Sequence, residues 1–256
     1  MEGINLPMKF YILCKNESAN IRKCIESLLQ CKMEVYIYDS GSTDDTLQII
    51  QQYPVTLVHY NYKNHCVAYN EITSGESENF CGIIDADMEI TTSLSEEIHQ
   101  LKEGTDVIIS PIKMYVDGLP LEYGNLCPPK PIVFRSGKTY FESVGHGERL
   151  VSGFRVAHTK SELIHNDLKP YVSYLNTQVR YADNFTQRAK YNQLTWRDKI
   201  RLNTPLLILI TPLYSLIIKG GIFSKKGWLY AIDRLIAESI MYRASLSSKL
   251  ATKKHK

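Results

Sequence analysis

Two carboxylates flank a small residue in Asp85-Ala86-Asp87, directly after the apolar run at residues 80–84. A short apolar run closed by a polar cluster reads as a buried strand, and open α/β sheets bind ligands outside the carboxyl ends of their strands. At such an end one carboxylate can reach ribose hydroxyls and the other a divalent cation. Mg²⁺ typically takes one or two carboxylates and completes its shell with substrate phosphates, so the spacing suits a nucleoside diphosphate. Alone, the triplet is also a common strand-end turn. A second cluster, Asp39-Ser40-Gly41-Ser42-Thr43-Asp44, again stands between a strand-like and a helix-like segment. Asp39 can accept hydrogen bonds from a base or ribose, and Gly41 lets backbone approach a ligand closely. A third, Lys15-Asn16-Glu17, follows the first apolar run, and Glu17 can line the same crevice. Singly, these two read as a capped turn and as a surface loop with a helix cap at Asn16 or Ser18. Together they gain weight, because all three fall at the ends of successive predicted strands.

The elements that must position them alternate. Strands are predicted at residues 8–14, 33–38, 55–59, 80–84 and 106–110. A helix between the first two carries Ile21, Cys24, Ile25, Leu28 and Leu29 on one face. Ser42-Thr43-Asp44-Asp45 offers a capping-box start to a helix reaching Tyr53. Further helices are expected at residues 62–74 and 92–102. Such alternation predicts a mostly parallel sheet with helices on both faces. Residues 111–165 are rich in proline and glycine, with short strand-like runs and no helical period, as in a β-rich half that shapes a pocket. The remainder is helical. Residues 170–189 place Val172, Leu175, Val179 and Ala182 on one face, residues 205–218 are almost wholly apolar, and an amphipathic helix is predicted at residues 226–246. Spanning a bilayer takes roughly 20 apolar residues, and this run stops earlier, at Lys219, with Pro212 inside it. A buried core helix and an interfacial helix stay open; Trp196, Tyr214, Lys219, Lys225, Lys226 and Trp228 suit the interfacial one.

Composition narrows the classes. The 256 residues are 44% hydrophobic with a formal net charge of +3, enough for a sizeable core and too little positive charge to suggest a nucleic-acid partner. The basic run from Arg243 onward reads first as a solvated terminus and second as a surface for anionic partners. Cys14, Cys24, Cys31, Cys66, Cys81 and Cys127 form no CxxC pair and no zinc-type cluster. The first residues hold no signal pattern, so reduced thiols and a cytoplasmic catalytic part are expected.

In order, type and interval, residues 12–17, 39–44 and 85–87 resemble the nucleotide-binding half of the family 2 glycosyltransferases. The resemblance covers about residues 9–110. It implies a GT-A fold: a Rossmann-like nucleotide-binding sheet with helices on both faces, a β-rich acceptor half, and here a C-terminal helical, membrane-associating extension. The corresponding division is residues 1–168 and 169–256. By the resemblance, Cys14, Glu17, Asp39, Ser40, Gly41, Asp85 and Ala86 surround the nucleotide sugar, a UDP-sugar for example, and Asp87 ligates Mg²⁺ or Mn²⁺. Residues 145–150 occupy the place of the family's acidic motif for the catalytic base. The usual acidic pair is absent there, which leaves Glu148 first as base, Asp167 second, and His146 as a base or as an orienter of Glu148. His165 resembles a family histidine that approaches the diphosphate or the metal. Residues 164–170, 178–182 and 216–231 resemble bacterial transferases of lipopolysaccharide core and related surface glycans and their membrane-associated tail.

The resulting expectation is an inverting transfer from a nucleotide sugar to a lipid-linked or lipopolysaccharide-type glycan, at the cytoplasmic face of a bacterial inner membrane. Two alternatives come from other classes. A sugar nucleotidyltransferase needs a Gly-rich basic loop after the first strand, where Lys15-Asn16-Glu17 stands instead. A membrane-associated nucleotide-sugar-binding protein without turnover would keep the fold and lack metal-dependent turnover. A Rossmann dehydrogenase is disfavoured, since no GxGxxG follows the first strand.

Overall fold

The computed structural model describes residues 8–74, 80–100, 104–144, 147–151, 153–190, 194 and 196–253. Two compact units divide the chain. One holds Met1–Gly118, Cys127–Glu142 and Arg149–Leu168; the other holds Leu119–Leu126, Ser143–Glu148 and Lys169–Lys256.

The first unit begins β1 (Lys9–Cys14), α1 (Ile21–Gln30), β2 (Glu34–Asp39), α2 (Thr46–Ile50), β3 (Thr56–His59), α3 (His65–Thr73), β4 (Phe80–Asp85), β5 (Met88–Glu89), α4 (Thr92–His99), β6 (Val107–Ser110) and β7 (Ile112–Val116). β1 and β2 alternate in burial, the period of a strand with two unlike faces. Phe10, Ile12, Val35 and Ile37 pack with Ile21, Ile25 and Leu28 of α1 and with Leu94 and Ile98 of α4. Tyr11, Leu13 and Tyr38 belong to a second cluster with Tyr69 and Ile72 of α3. Helices therefore cover both faces, as the alternation predicts. Gly82 of β4 is required by close approach: a Cβ there would lie 2.2 Å from the Phe10 ring.

Then follow β8 (Leu119–Pro120), β9 (Lys130–Arg135), β10 (Phe141–Val144), β11 (Gly147–Leu150), β12 (Val156–His158) and β13 (Leu163–His165). The main sheet has the order β12-β6-β9-β4-β1-β2-β3. Its strands run parallel except β9, which is antiparallel to both β4 and β6. The sheet is thus mixed, and β9 is the strand that the helix–strand alternation did not foretell. A proline inside an interior strand is confined to a bulge. Pro131 lies where the β6–β9 register shifts, between Ile108 and Ile109. Smaller pairings join β5 antiparallel to β13, and β13 parallel to β7.

In the second unit, α5 (Tyr171–Lys190), α6 (Trp196–Asn203) and α7 (Leu207–Leu213) pack on the long α8 (Lys225–Lys253). The face expected for α5 is only partly buried. Ala182 and Phe185 pack against Met241 of α8, while Val172 and Val179 are exposed. Pro212 lies inside α7 and lacks the N–H that the preceding turn would receive; a π-turn follows over Tyr214–Ile218, closed by Lys219 N to Tyr214 O at 3.1 Å. No described helix is long and apolar enough to cross a membrane. The final helix starts one residue earlier and ends seven later than the expected 226–246.

Candidate active site

The register of three parallel strands brings the three clusters side by side. Cys14 is level with Asp39 across β1–β2, and Leu13 is level with Asp85 across β1–β4. The loops after β1 and β2 are then laced together. Ser40 N donates to Cys14 O at 3.0 Å, Asn16 N donates to Ser42 Oγ at 2.8 Å, and Thr43 N donates to Asn16 Oδ1 at 2.7 Å. Ser18 N donates to Asp44 Oδ2 at 3.2 Å, and Glu17 N to Thr46 Oγ1 at 2.8 Å. This lacing corrects the capping-box expectation. Ser42 and Asp44 are spent on the neighbouring loop and on Thr46, so α2 begins only at Thr46.

Asp39 is buried, and its Oδ2 accepts from Gly41 N at 2.9 Å and Ser42 N at 3.0 Å, with Ser42 Oγ on Oδ1. Gly41 holds a φ of +87° with open space around its α-carbon, so the turn needs glycine for its backbone angle. The side chains of Cys14 and Ala86 lie in the core.

Asp85 and Asp87 have different partners. Asp85 ends β4 and forms an ion pair with Lys130, the first residue of β9. Burial alone would raise the Asp85 carboxyl, but the Lys130 ammonium, with His65 and His165 nearby, holds it below the usual carboxylate range. Asp87 sits in a turn, and its Oδ2 lies 3.1 Å from His165 Nε2. The β5–β13 pairing explains that contact, because His165 is level with Met88 and Asn166 N donates to Asp87 O at 2.9 Å. Burial opposes the imidazolium, yet Asp87 and the Cys127 sulfur push His165 up to about 10. Asp87 Oδ1 is buried and receives no hydrogen bond. An acceptor oxygen left this way fits a cation. Among the described residues no three His, Cys, Asp or Glu side chains gather as a cage, so a cation here would need oxygens from a ligand.

α1 holds the turn from beneath. Cys24 Sγ donates to Asp85 O at 3.7 Å, Ser27 Oγ accepts from Ile90 N at 3.0 Å, and Cys31 Sγ donates to Thr91 O at 3.9 Å. These residues recur at helical spacing on one face. None of the six cysteines is in a disulfide.

Two residues of this site carried no sequence signal. Lys130 reads as an isolated lysine among prolines. Asn20 stands unmarked beyond the expected caps at Asn16 or Ser18, but its buried amide donates to Glu17 Oε2 at 2.9 Å and to Asp167 Oδ1 at 2.8 Å, and accepts from Leu168 N at 2.8 Å. Asp167 is thereby brought to Glu17. Glu148 lies on β11, and its side chain falls outside the described residues, as does His146.

A mixed α/β sheet with acidic clusters at its parallel strand ends defines a GT-A-like nucleotide-binding fold. The family model for glycosyl transferase family 2 matches residues 10–159, and the chain belongs to that family. A lipopolysaccharide core biosynthesis glycosyltransferase, LpsC of Rhizobium meliloti (strain 1021), is 34% identical over 109 residues, 41% of this chain and 40% of the relative. The SPbeta prophage-derived glycosyltransferase SunS of Bacillus subtilis (strain 168) is 26% identical over 185 residues, 69% of this chain and 43% of the relative. The chain thus spans less than half the length of the curated relatives it matches. A crystal structure of S. aureus TarS 1-349 overlaps 98% of this chain and 92% of its own at 16% identity, with a TM-score of 0.44. At that score the overlap adds nothing to the family match.

Proposed function

We propose that this glycosyltransferase moves a sugar, with inversion, from a UDP-sugar to a lipid-linked or lipopolysaccharide-type glycan, with Mg²⁺ or Mn²⁺ held at Asp87. The observation that carries this reading is the buried, unpartnered Asp87 Oδ1 at the same sheet edge as Glu17, Asp39 and Asp85. Glu17, Asp39 and Asp85 are acceptors suited to uracil N–H and ribose hydroxyls, with Ser40 and Gly41 offering close backbone. A divalent cation, when bound, supplies positive charge to the departing diphosphate. His165 would join its ligands only after losing its proton. In the transfer, an acceptor oxygen forms a bond to the anomeric carbon, the bond from that carbon to the diphosphate breaks, and the acceptor proton passes to a carboxylate. Glu148 is the proposed base, with His146 to orient it. Asp167, second for that role, shares the Asn20 amide with Glu17, an arrangement that suits a structural tie.

The acceptor class and the place of work draw on the second unit. Leu209, Ile210, Leu213, Ile217, Ile218 and Phe223 are all exposed there. From Lys199 to Ile232 the sequence has five Lys and Arg and no Asp or Glu. An exposed apolar face within an acid-free, basic stretch suits the interface of an anionic bilayer, which supports a peripheral position on the cytoplasmic side of a bacterial inner membrane.

Calorimetric titration with UDP, with and without Mn²⁺, tests the donor site. Wild-type protein is expected to bind UDP at least tenfold more tightly with Mn²⁺, about 1.4 kcal/mol, and Asp87→Ala to lose that gain. If UDP, GDP and dTDP all fail to bind in either condition, the donor site is wrongly assigned.

A further inference from the structure

We propose that Lys130 is a positioning residue that occupies Asp85 and so reserves Asp87 as the only carboxylate of the Asp85-Ala86-Asp87 turn offered to a cation. The inference rests on the reading of Asp87 as a metal ligand and adds the group that keeps the two acids in separate roles.

The geometry begins in the sheet. β9 is antiparallel to β4 with Gly82 level with Val133, and from that pair β4 runs on to its last residue, Asp85, while β9 leads back to its first, Lys130. The ammonium and the Asp85 carboxylate then meet as an ion pair, their side chains 19% and 32% exposed. Two residues on, Asp87 faces His165 with one oxygen and has no hydrogen-bond donor on the other. A single tripeptide thus carries one acid taken up by an ammonium and one that meets a histidine with one oxygen and has no hydrogen-bond donor on the other.

The sequence around Lys130 is Cys127-Pro128-Pro129-Lys130-Pro131. Each proline fixes its own φ, and a residue preceding proline is held to extended backbone. Lys130 therefore stands on stiff chain before any ligand arrives, inside an interior strand anchored on both sides by β4 and β6. A side chain on such a base loses little freedom when it fixes its partner, which is the condition for preorganisation. Two carboxylates this close would otherwise compete for the same cation. Neutralising one with a permanent ammonium leaves Asp85 as an acceptor for hydroxyls and lowers the total negative charge that a metal meets.

The test reads Mn²⁺ binding through UDP, as the Mn²⁺ concentration at which half of the metal-dependent gain in calorimetric UDP affinity is reached; uridine binding without metal is measured in parallel. Lys130→Met is expected to bind Mn²⁺ at least fivefold more tightly than wild type and uridine more weakly, because Asp85 is released to the cation. Lys130→Arg should stay within twofold of wild type on both. In the double variant Lys130→Met/Asp85→Asn, where Asp85 can no longer take the cation, the tightening should vanish. Unchanged or weaker Mn²⁺ binding in folded Lys130→Met overturns the proposal. So does a tightening that persists in the double variant, whose two neutral side chains leave no charge unpaired and keep the test open even where Lys130→Met does not fold. Failure of the underlying reading looks different: Asp87→Asn would then leave Mn²⁺ binding as in wild type.

Discussion

Asn20 is the residue whose importance is least apparent in the chain and greatest in the structure. Every polar atom of its amide is engaged, to Glu17, Asp167 and the Leu168 N–H, and the side chain is buried. Removing such a group takes away three hydrogen bonds at once, each worth about 0.5–1.5 kcal/mol net. Asn20→Ala is therefore expected to lower the unfolding free energy by about 2 kcal/mol, measured by urea denaturation, and to weaken UDP binding as Glu17 loses its fixed position. Stability within 0.5 kcal/mol of wild type, roughly the range of a plain surface change, would mean that the tie is dispensable. The acids at the strand ends were legible because their types and intervals repeat a pattern. Asn20 and Lys130 were not, because each works through a partner more than forty residues away or across an antiparallel strand that no local period announces.

At the scale of elements, the ends of β6, β9 and β12 are fastened through one acid. Asp106 pairs with Arg135 at 3.2 Å and Arg155 at 3.3 Å, and its backbone bonds both of those residues' main chains. Arg135 also lies over the Phe80 ring, 4.8 Å from its centre. Burial would raise the Asp106 carboxyl, but the bonds from Arg155 and the charge of Arg135 hold it below its usual value. A depressed folded value contributes stability that is present above the unfolded value, about 3.9, and lost as pH falls through the folded one. Asp106→Asn should thus be less stable than wild type at pH 7, with the gap closing below about pH 4; denaturant midpoints at pH 7 and pH 3 decide it. An equal gap at both would mean that the charge contributes nothing. The Arg155 side chain is largely exposed, so its share should come mainly from its backbone N–H, which donates to Asp106 Oδ2 at 3.1 Å.

For the molecule as a whole, the second unit gathers a piece of the middle of the chain. Gly124 N donates to Lys219 O at 2.9 Å, Ser215 Oγ donates to Gly124 O at 2.6 Å, and Lys226 pairs with Glu122 at 3.2 Å. Gly227 approaches Gly221 so closely that a Cβ would lie 2.1 Å from its carbonyl oxygen. Backbone on backbone, these glycines hold the turn that carries Ile217, Ile218, Ile222 and Phe223 outward. Fully burying one such side chain is worth about 1.5–3 kcal/mol. Replacing Ile218 and Phe223 with Asp should therefore reduce sedimentation with phosphatidylglycerol vesicles by tenfold or more, abolish the shift of Trp228 fluorescence on mixing, and leave UDP affinity unchanged. Undiminished vesicle binding would remove the bilayer from the proposal.

The sequence by itself determined the α/β alternation, the family, and which acids stand at strand ends, because hydrophobic period and cluster spacing are local properties. It also marked the apolar run and its premature stop. Only the tertiary structure decided that β9 runs antiparallel between β4 and β6, that α2 starts late, and that α5 buries Phe185 while leaving Val172 and Val179 outside. It alone gave Asp85 a lysine and Asp87 a histidine. The reason is physical: strand order and side-chain partners are set by contacts between distant segments, whose energies appear only once the chain has closed upon itself.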